Sequence, residues 1–352
     1  MRVQACLSVF GAVVLFAACA HAPRRFHPKA VEHQSHGAQS LARGEIDRAA
    51  GQFSLALEYE PRMAEARNGL GLVARARGDK DRAESEFRAA LALNEELAEA
   101  RLNLGWLFLE RDDVEDALVE FRAALAIDPG FGMARLAAGE ALIRLGRLDE
   151  ARWDLTKLCE VEPQQAAAHA ALALVLARLG RIALAETAAR KALSIDPQLP
   201  AAHRARAEIL RNQGDFAGAA ELLRAVLRVQ PTSVDDRLSL ATVLVANGDA
   251  DGALRETEGL EQAAPRRPEV PFVRAFTCVR AERPEEAIAA AQRALDLRPH
   301  YPEARLVLAE ALLRVGRTAQ GRRELKTFVS EAPPSMARER QLAESFLRQD
   351  PL

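Results

Sequence analysis

The chain has 352 residues, 49% of them hydrophobic but only 5% aromatic, so its core must be built from Ala, Leu and Val, which favours helices packed closely through small side chains. Lys and Arg number 48 against 50 Asp and Glu, a formal net charge of −2. That balance excludes an overall basic field for nucleic acid and an acidic tail for a cationic partner.

The first predicted element is a leader. Met1 and Arg2 open the chain, and the stretch from Leu7 to Ala18 is apolar without a charge, which reads as a secretory signal over residues 1–18. A bilayer-spanning helix needs about 20 apolar residues, and no later segment reaches that length, so the mature chain is expected to lack a transmembrane helix. The end of the leader, Leu15-Phe16-Ala17-Ala18-Cys19, resembles the lipobox of bacterial lipoproteins. The resemblance makes Cys19 the lipidation site and membrane anchor, and with Ala20 rather than Asp after it, implies the outer membrane. Ala18-Cys19-Ala20 also fits the small-x-small rule of ordinary leader cleavage, which would release a soluble protein starting at His21. Residues 19–29 carry Pro23, Arg24, Arg25 and Pro28 without apolar periodicity and read as a tether.

From Ala30 the chain is periodic. Prolines at 61, 129, 163, 197, 231, 265, 299 and 333 are spaced by 34 or twice 34, and the one missing site holds Glu95. With proline at position 32, nine repeats of 34 residues fill 30–335 without an insertion. Position 8 is Gly37, Gly71, Gly105 and Gly139, then Ala173, Ala207, Ala241, Ala275 and Ala309. Position 20 is Ala until Gly321. Small residues there allow two antiparallel helices to approach closely. Position 24 is Phe53, Phe87, Phe121, Leu155 and Leu223 in five repeats, a large group to fill the space beside the small ones. Position 15 is Gly in seven repeats, with Asp112 and Glu282 as exceptions, and suits the left-handed residue that ends a helix.

Leu104-Gly105-x-x-Phe108, Ala117-x-x-x-Phe121 and Pro129 resemble the tetratricopeptide repeat at its defining spacing, and the resemblance covers residues 30–335. It implies an all-α fold, a right-handed α-solenoid of nine helix-turn-helix repeats. The stretch 336–352, with Leu342, Phe346 and Leu347 on one side of a charged helix, is expected to cap it. Thr257 and Glu261 stand where apolar residues belong in repeat seven.

The family's inner groove is lined by positions 2, 5, 9, 12 and 13 of each first helix. In repeats three and four these include Leu102, Trp106, Leu109, Met133, Leu136 and Ile143, and in repeat eight Phe272, Phe276 and Val279. Leu102, Trp106, Leu109, Met133, Leu136, Ile143, Phe272 and Phe276 are the candidate partner-binding residues, on the expectation that an apolar patch holding a Trp binds a peptide or helix. The alternative is that they fill gaps between helices. Arg144, Arg178, Arg280 and Arg314 at position 13 either meet an acidic peptide or form a solvated rim. The Lys that some family members use to clamp C-terminal carboxylates is absent from the groove positions of repeats one to three, where Glu65 and Glu99 occupy position 2.

His21, His27, His33 and His36 lie too near a tether to hold a metal and are expected in solvent. Cys159 and Cys278, four repeats apart, are expected as two buried free thiols. No nucleotide loop, zinc signature or strand-held nucleophile occurs, so no catalytic residue, cofactor, metal or small-molecule substrate is expected. The leader and fold together resemble pilotin-like lipoproteins of type IV pili and the repeat lipoproteins of motility, secretion and export complexes. A scaffold for protein partners of the cell envelope, held to the membrane by its N-terminal lipid, is the function these features imply. An adaptor that brings a peptidoglycan hydrolase to its substrate is the second reading.

Overall fold

The computed structural model describes residues 26–349; the leader and Cys19 lie outside them. Among the described residues there are twenty α-helices, one 3-10 turn and no strand. The described residues fall into two compact parts that meet at Ala100 and Arg101 in the sequence.

In chain order the helices are α1 (Pro28–Ala42), α2 (Ile46–Tyr59), α3 (Ala64–Ala76), α4 (Lys80–Leu93), α5 (Ala98–Arg111), α6 (Val114–Ile127), α7 (Gly132–Arg144) and α8 (Leu148–Val161). There follow α9 (Ala166–Arg178), α10 (Ile182–Ile195), α11 (Pro200–Gln213), α12 (Phe216–Val229), α13 (Val234–Ala246), α14 (Ala250–Thr257) and α15 (Leu260–Ala263). The last are α16 (Glu269–Arg280), α17 (Pro284–Leu297), α18 (Pro302–Arg314), α19 (Thr318–Glu331) and α20 (Ala337–Gln349). Each part is an α-solenoid of stacked helix pairs.

The pairs close on small residues. Each position-20 alanine is fully or almost fully buried, as at Ala49, Ala83, Ala117 and Ala151. A Cβ added to Gly105 would meet the Phe121 ring at 2.5 Å, and one added to Gly139 would meet Leu155 at 2.7 Å. Phe53 lies over both Gly37 and Gly69, so one ring fills two such gaps. Where position 8 is Ala, position 24 is never Phe but Ala189, Leu223, Thr257, Ala291 or Leu325. A ring at position 24 therefore occurs only beside a glycine at position 8, where no Cβ meets it.

Every first helix ends on a left-handed residue at position 15, including Asp112 (φ 69°) and Glu282 (φ 57°), where the side chain makes that conformation costly. The next amide then reaches back to the helix's last turn, as Asp113 N does to Phe108 O at 2.9 Å. Second helices start on side-chain caps where position 16 is Asp79, Asp215 or Asp249, each accepting from the amide three residues on.

Four expectations change. Helix α1 begins at Pro28, inside the stretch read as tether, because proline suits the first helical position and His27 caps it. The second helix of repeat seven is broken: α14 stops at Thr257, Glu258 is extended, Gly259 is left-handed (φ 75°), and α15 carries on for one turn. Thr257 stays 1% exposed because its hydroxyl donates to Leu254 O at 2.9 Å instead of filling the core with methyls. In α20 the packing face is Ala343 and Leu347, whereas Leu342 (62% exposed) and Phe346 (40%) look outward. Buried Arg322 holds that helix by donating to Leu347 O at 2.7 Å. Both thiols are free, but only Cys278 is fully buried. Cys159 follows Leu158, which takes the core position, and burial on its other side with Glu160 nearby lifts its pKa to about 11.

Candidate functional site

A second set of contacts, absent from the sequence reading, holds consecutive pairs together. Position 4 is Arg or His in every repeat but the eighth, which has Pro271. Arg135, Arg237 and Arg305 each donate to the carbonyl of the proline six residues back and pair with an acid at position 23: Asp154, Glu256 and Glu324. His169 and His203 bond the same proline carbonyls at 3.1 and 3.2 Å, and their position 23 is uncharged, Ala188 and Leu222. His33 instead bonds Gln52 at 2.8 Å and stacks on Tyr59 at 5.6 Å, so it is not a free solvent-exposed imidazole, while His27 and His36 are exposed. The signal was available as a repeating Arg–acid pair nineteen residues apart.

The position-13 arginines are exposed, as a solvated rim would be, but they are not free cations. Arg144, Arg178 and Arg314 each donate to the carbonyl 35 residues back, at Leu109, Ile143 and Val279, as Asn212 does to Ala177 O. They cap the C-terminus of the preceding first helix, where carbonyls lack intrahelical donors. Arg144 also pairs with Asp112, Arg314 with Glu310, and Arg280 covers the Phe276 ring at 5.3 Å.

The candidate binding residues separate by burial. Leu102 (4% exposed) and Ile143 (7%) are core and offer a partner no surface, because their side chains are already covered within the fold. Trp106 is half-buried, edge-on to Phe121 at 5.6 Å, so its ring packs as well as faces out. Leu109 and Leu136 are half-buried, and Met133 is 58% exposed. In repeat eight, Phe272 and Phe276 are half-buried against the core, Phe272 lying 5.0 Å from Tyr301, and Val279 is buried. The structure therefore leaves Trp106 and Leu109 on α5 and Met133 and Leu136 on α7 partly open.

Two surface features were missed. Trp153 on α8 is 58% exposed, with Val119 (62%) at the same register on α6. Register marks both as outer-face positions, but burial of an indole depends on its neighbours, which spacing does not reveal. The other is Glu140 on α7, half-buried at position 9, whose carboxyl burial pushes above its ordinary 4.5 against the pull of Arg204 and Arg144. Nearby, Arg204 forks onto Asp236 at 2.6 and 2.8 Å, and Asp236 is 2% exposed. Among the described residues, no group of three or more His, Cys, Asp or Glu could hold a metal, and no helix is long and apolar enough to cross a membrane.

Residues 25–269 match the family model of the cilia and flagella-associated protein 70 C-terminal domain, and 279–342 match that of the tetratricopeptide repeat. The chain belongs to that first, tetratricopeptide family. Comparison with curated proteins finds no match. Among solved structures the tetratricopeptide array is similar to Pseudomonas aeruginosa PilF, at 19% identity and TM-score 0.51, over 59% of this chain and 95% of that one. It is also similar to a tetratricopeptide repeat protein of Parabacteroides merdae, at 16% identity and TM-score 0.53, over 71% and 99%. A third likeness is to the Cut9–Hcn1 heterotetramer of APC/C, at 17% identity and TM-score 0.59 over 78% of this chain, which spans about half (54%) of that one. These identities support the fold of the tetratricopeptide array, whose general role is to bind other proteins.

Proposed function

We propose that this tetratricopeptide chain is a non-catalytic scaffold of the cell envelope, exported by residues 1–18, tethered by lipid at Cys19 and gathering the protein parts of a larger machine such as a type IV pilus, a gliding-motility apparatus or a secretion complex. The observation that carries the scaffold reading is the division of labour along the first helices: the pairs close on Gly, Ala and Phe, while Met133, Leu136, Trp106 and Glu140 remain at least partly open on the face that the packing does not need. The leader and its Leu15-Phe16-Ala17-Ala18-Cys19 ending support the envelope location, and the likeness in fold to PilF is compatible with pilus assembly. In such a molecule binding energy comes from a few partly open anchors, and the repeats supply the rigid spacing between them.

The test has two arms. Changing Cys19 to Ala is expected to abolish acylation and move the protein out of the membrane fraction, and a variant that stays fully membrane-bound overturns the lipid anchor. Affinity purification of the anchored chain from envelope extracts is expected to recover secretin, motor or export subunits. Recovery of peptidoglycan hydrolases instead selects the adaptor reading, and recovery of neither class overturns both.

A further inference from the structure

Position 9 of the first helices holds glutamate in three of the described pairs, Glu140, Glu208 and Glu310. Two are neutralised on their own helix: Glu208 by Arg211 at 2.5 Å and Glu310 by Arg314 at 2.8 Å. Glu140 has Arg144 one turn on, the spacing that serves Glu310. But Arg144 is committed to Asp112 and to the Leu109 carbonyl, and Arg204, the other cation in range, to Asp236 and Gln230. Among the described residues Glu140 therefore feels two positive fields and makes no hydrogen bond or ion pair. A half-buried carboxylate in that condition is costly, and burial raises its pKa.

The surroundings define what would satisfy it. At the same register the neighbouring first helices carry Trp106 and Leu174, both half-buried, and on α7 itself Leu136 and exposed Met133 lie one and two turns back. Apolar surface beside one unpaired carboxylate matches a Lys or Arg side chain, whose methylene stem lies along apolar groups while its head pairs with the acid. A free amine would meet the carboxylate but leave the apolar groups uncovered. We propose that Glu140 is the specificity residue of this face, and that the occupant is a protein segment presenting a lysine or arginine flanked by apolar side chains. The proposal rests on the scaffold reading and names the chemistry of its partner.

A phage-displayed library of random dodecapeptides, panned on the full chain, tests it. Recovered peptides are expected to be enriched in Lys or Arg next to an apolar residue. Affinity for a recovered peptide is expected to fall about tenfold in Glu140→Gln, and selection on Glu140→Lys to turn toward Asp and Glu. Met133→Ser, at an exposed position, should weaken the same peptides without unfolding the chain. Equimolar spermidine should leave binding unchanged. Enrichment without a basic bias, or affinity indifferent to Glu140→Gln in a variant with the parent's circular dichroism, overturns the specificity and leaves the scaffold standing. Displacement by spermidine assigns the site to small amines and overturns the protein segment. A library that yields no binder overturns both.

Discussion

Helix pairs three and five fill the seam between their helices in opposite ways. In α5 and α6 the contact is Gly105 against Phe121, with all of the volume on one side. In α9 and α10 it is Ala173 with Ala189, both buried, and the space is shared evenly. The seam thus accepts either a ring over a glycine or two alanines, whose smaller combined volume is made up by neighbours such as Leu172 and Leu176.

The largest effect that can break this comparison is the removal of the ring. Phe121→Ala is expected to cost about 3–5 kcal/mol, because Gly105 leaves nothing to collapse into the cavity. Denaturant unfolding measures it, and a loss below about 1 kcal/mol would show that pair three does not depend on the ring. Next, Ala189→Phe alone should overpack pair five by about 1–3 kcal/mol. Adding Ala173→Gly should recover part of that loss, and strictly additive effects would refute the coupling of the two positions. Third, Glu282→Gly should gain about 1 kcal/mol by removing a side chain from a left-handed residue. Asp112→Gly, where the side chain holds Arg144, should gain less. Equal gains would deny that pair a role.

The smallest effect concerns Glu140 beside the paired Glu208. The folded pKa of Glu140 is raised above its ordinary 4.5, so its protonated form favours the fold. The contribution is present in full below the ordinary value and is lost as pH rises through the folded one. Glu140→Gln should therefore match the parent near pH 4 and become slightly more stable than it by pH 7. A variant that loses stability on going from pH 4 to 7 relative to the parent would reveal a partner for Glu140 that the structure does not contain.

The architecture was legible because it is written in residues whose identity is the reason for their place. The proline ladder, Gly or Ala at position 8 and the glycines at position 15 each satisfy a local steric demand, and together they set helices and turns. The broken helix at Glu258 was visible only as Thr257 and Glu261 out of pattern, since a pattern of burial does not say whether the backbone bends or the polar group finds a bond. The candidate site was less legible for a related reason. Spacing assigns Leu102, Ile143, Trp106 and Met133 to one face, but their exposure is decided by what the rest of the fold covers. The openness of Glu140 is less visible still, because it follows from what Arg144 does elsewhere.

The clasp from position 4 to the preceding proline carbonyl spans six residues, and the cap from position 13 spans 35. Both are offsets within or just beyond one period, so a tandem copy of any 34-residue block arrives with donors and acceptors already matched to the block before it. Such a chain can lengthen by duplication without inventing a new junction, and what the copy must then acquire is only a different set of outward side chains.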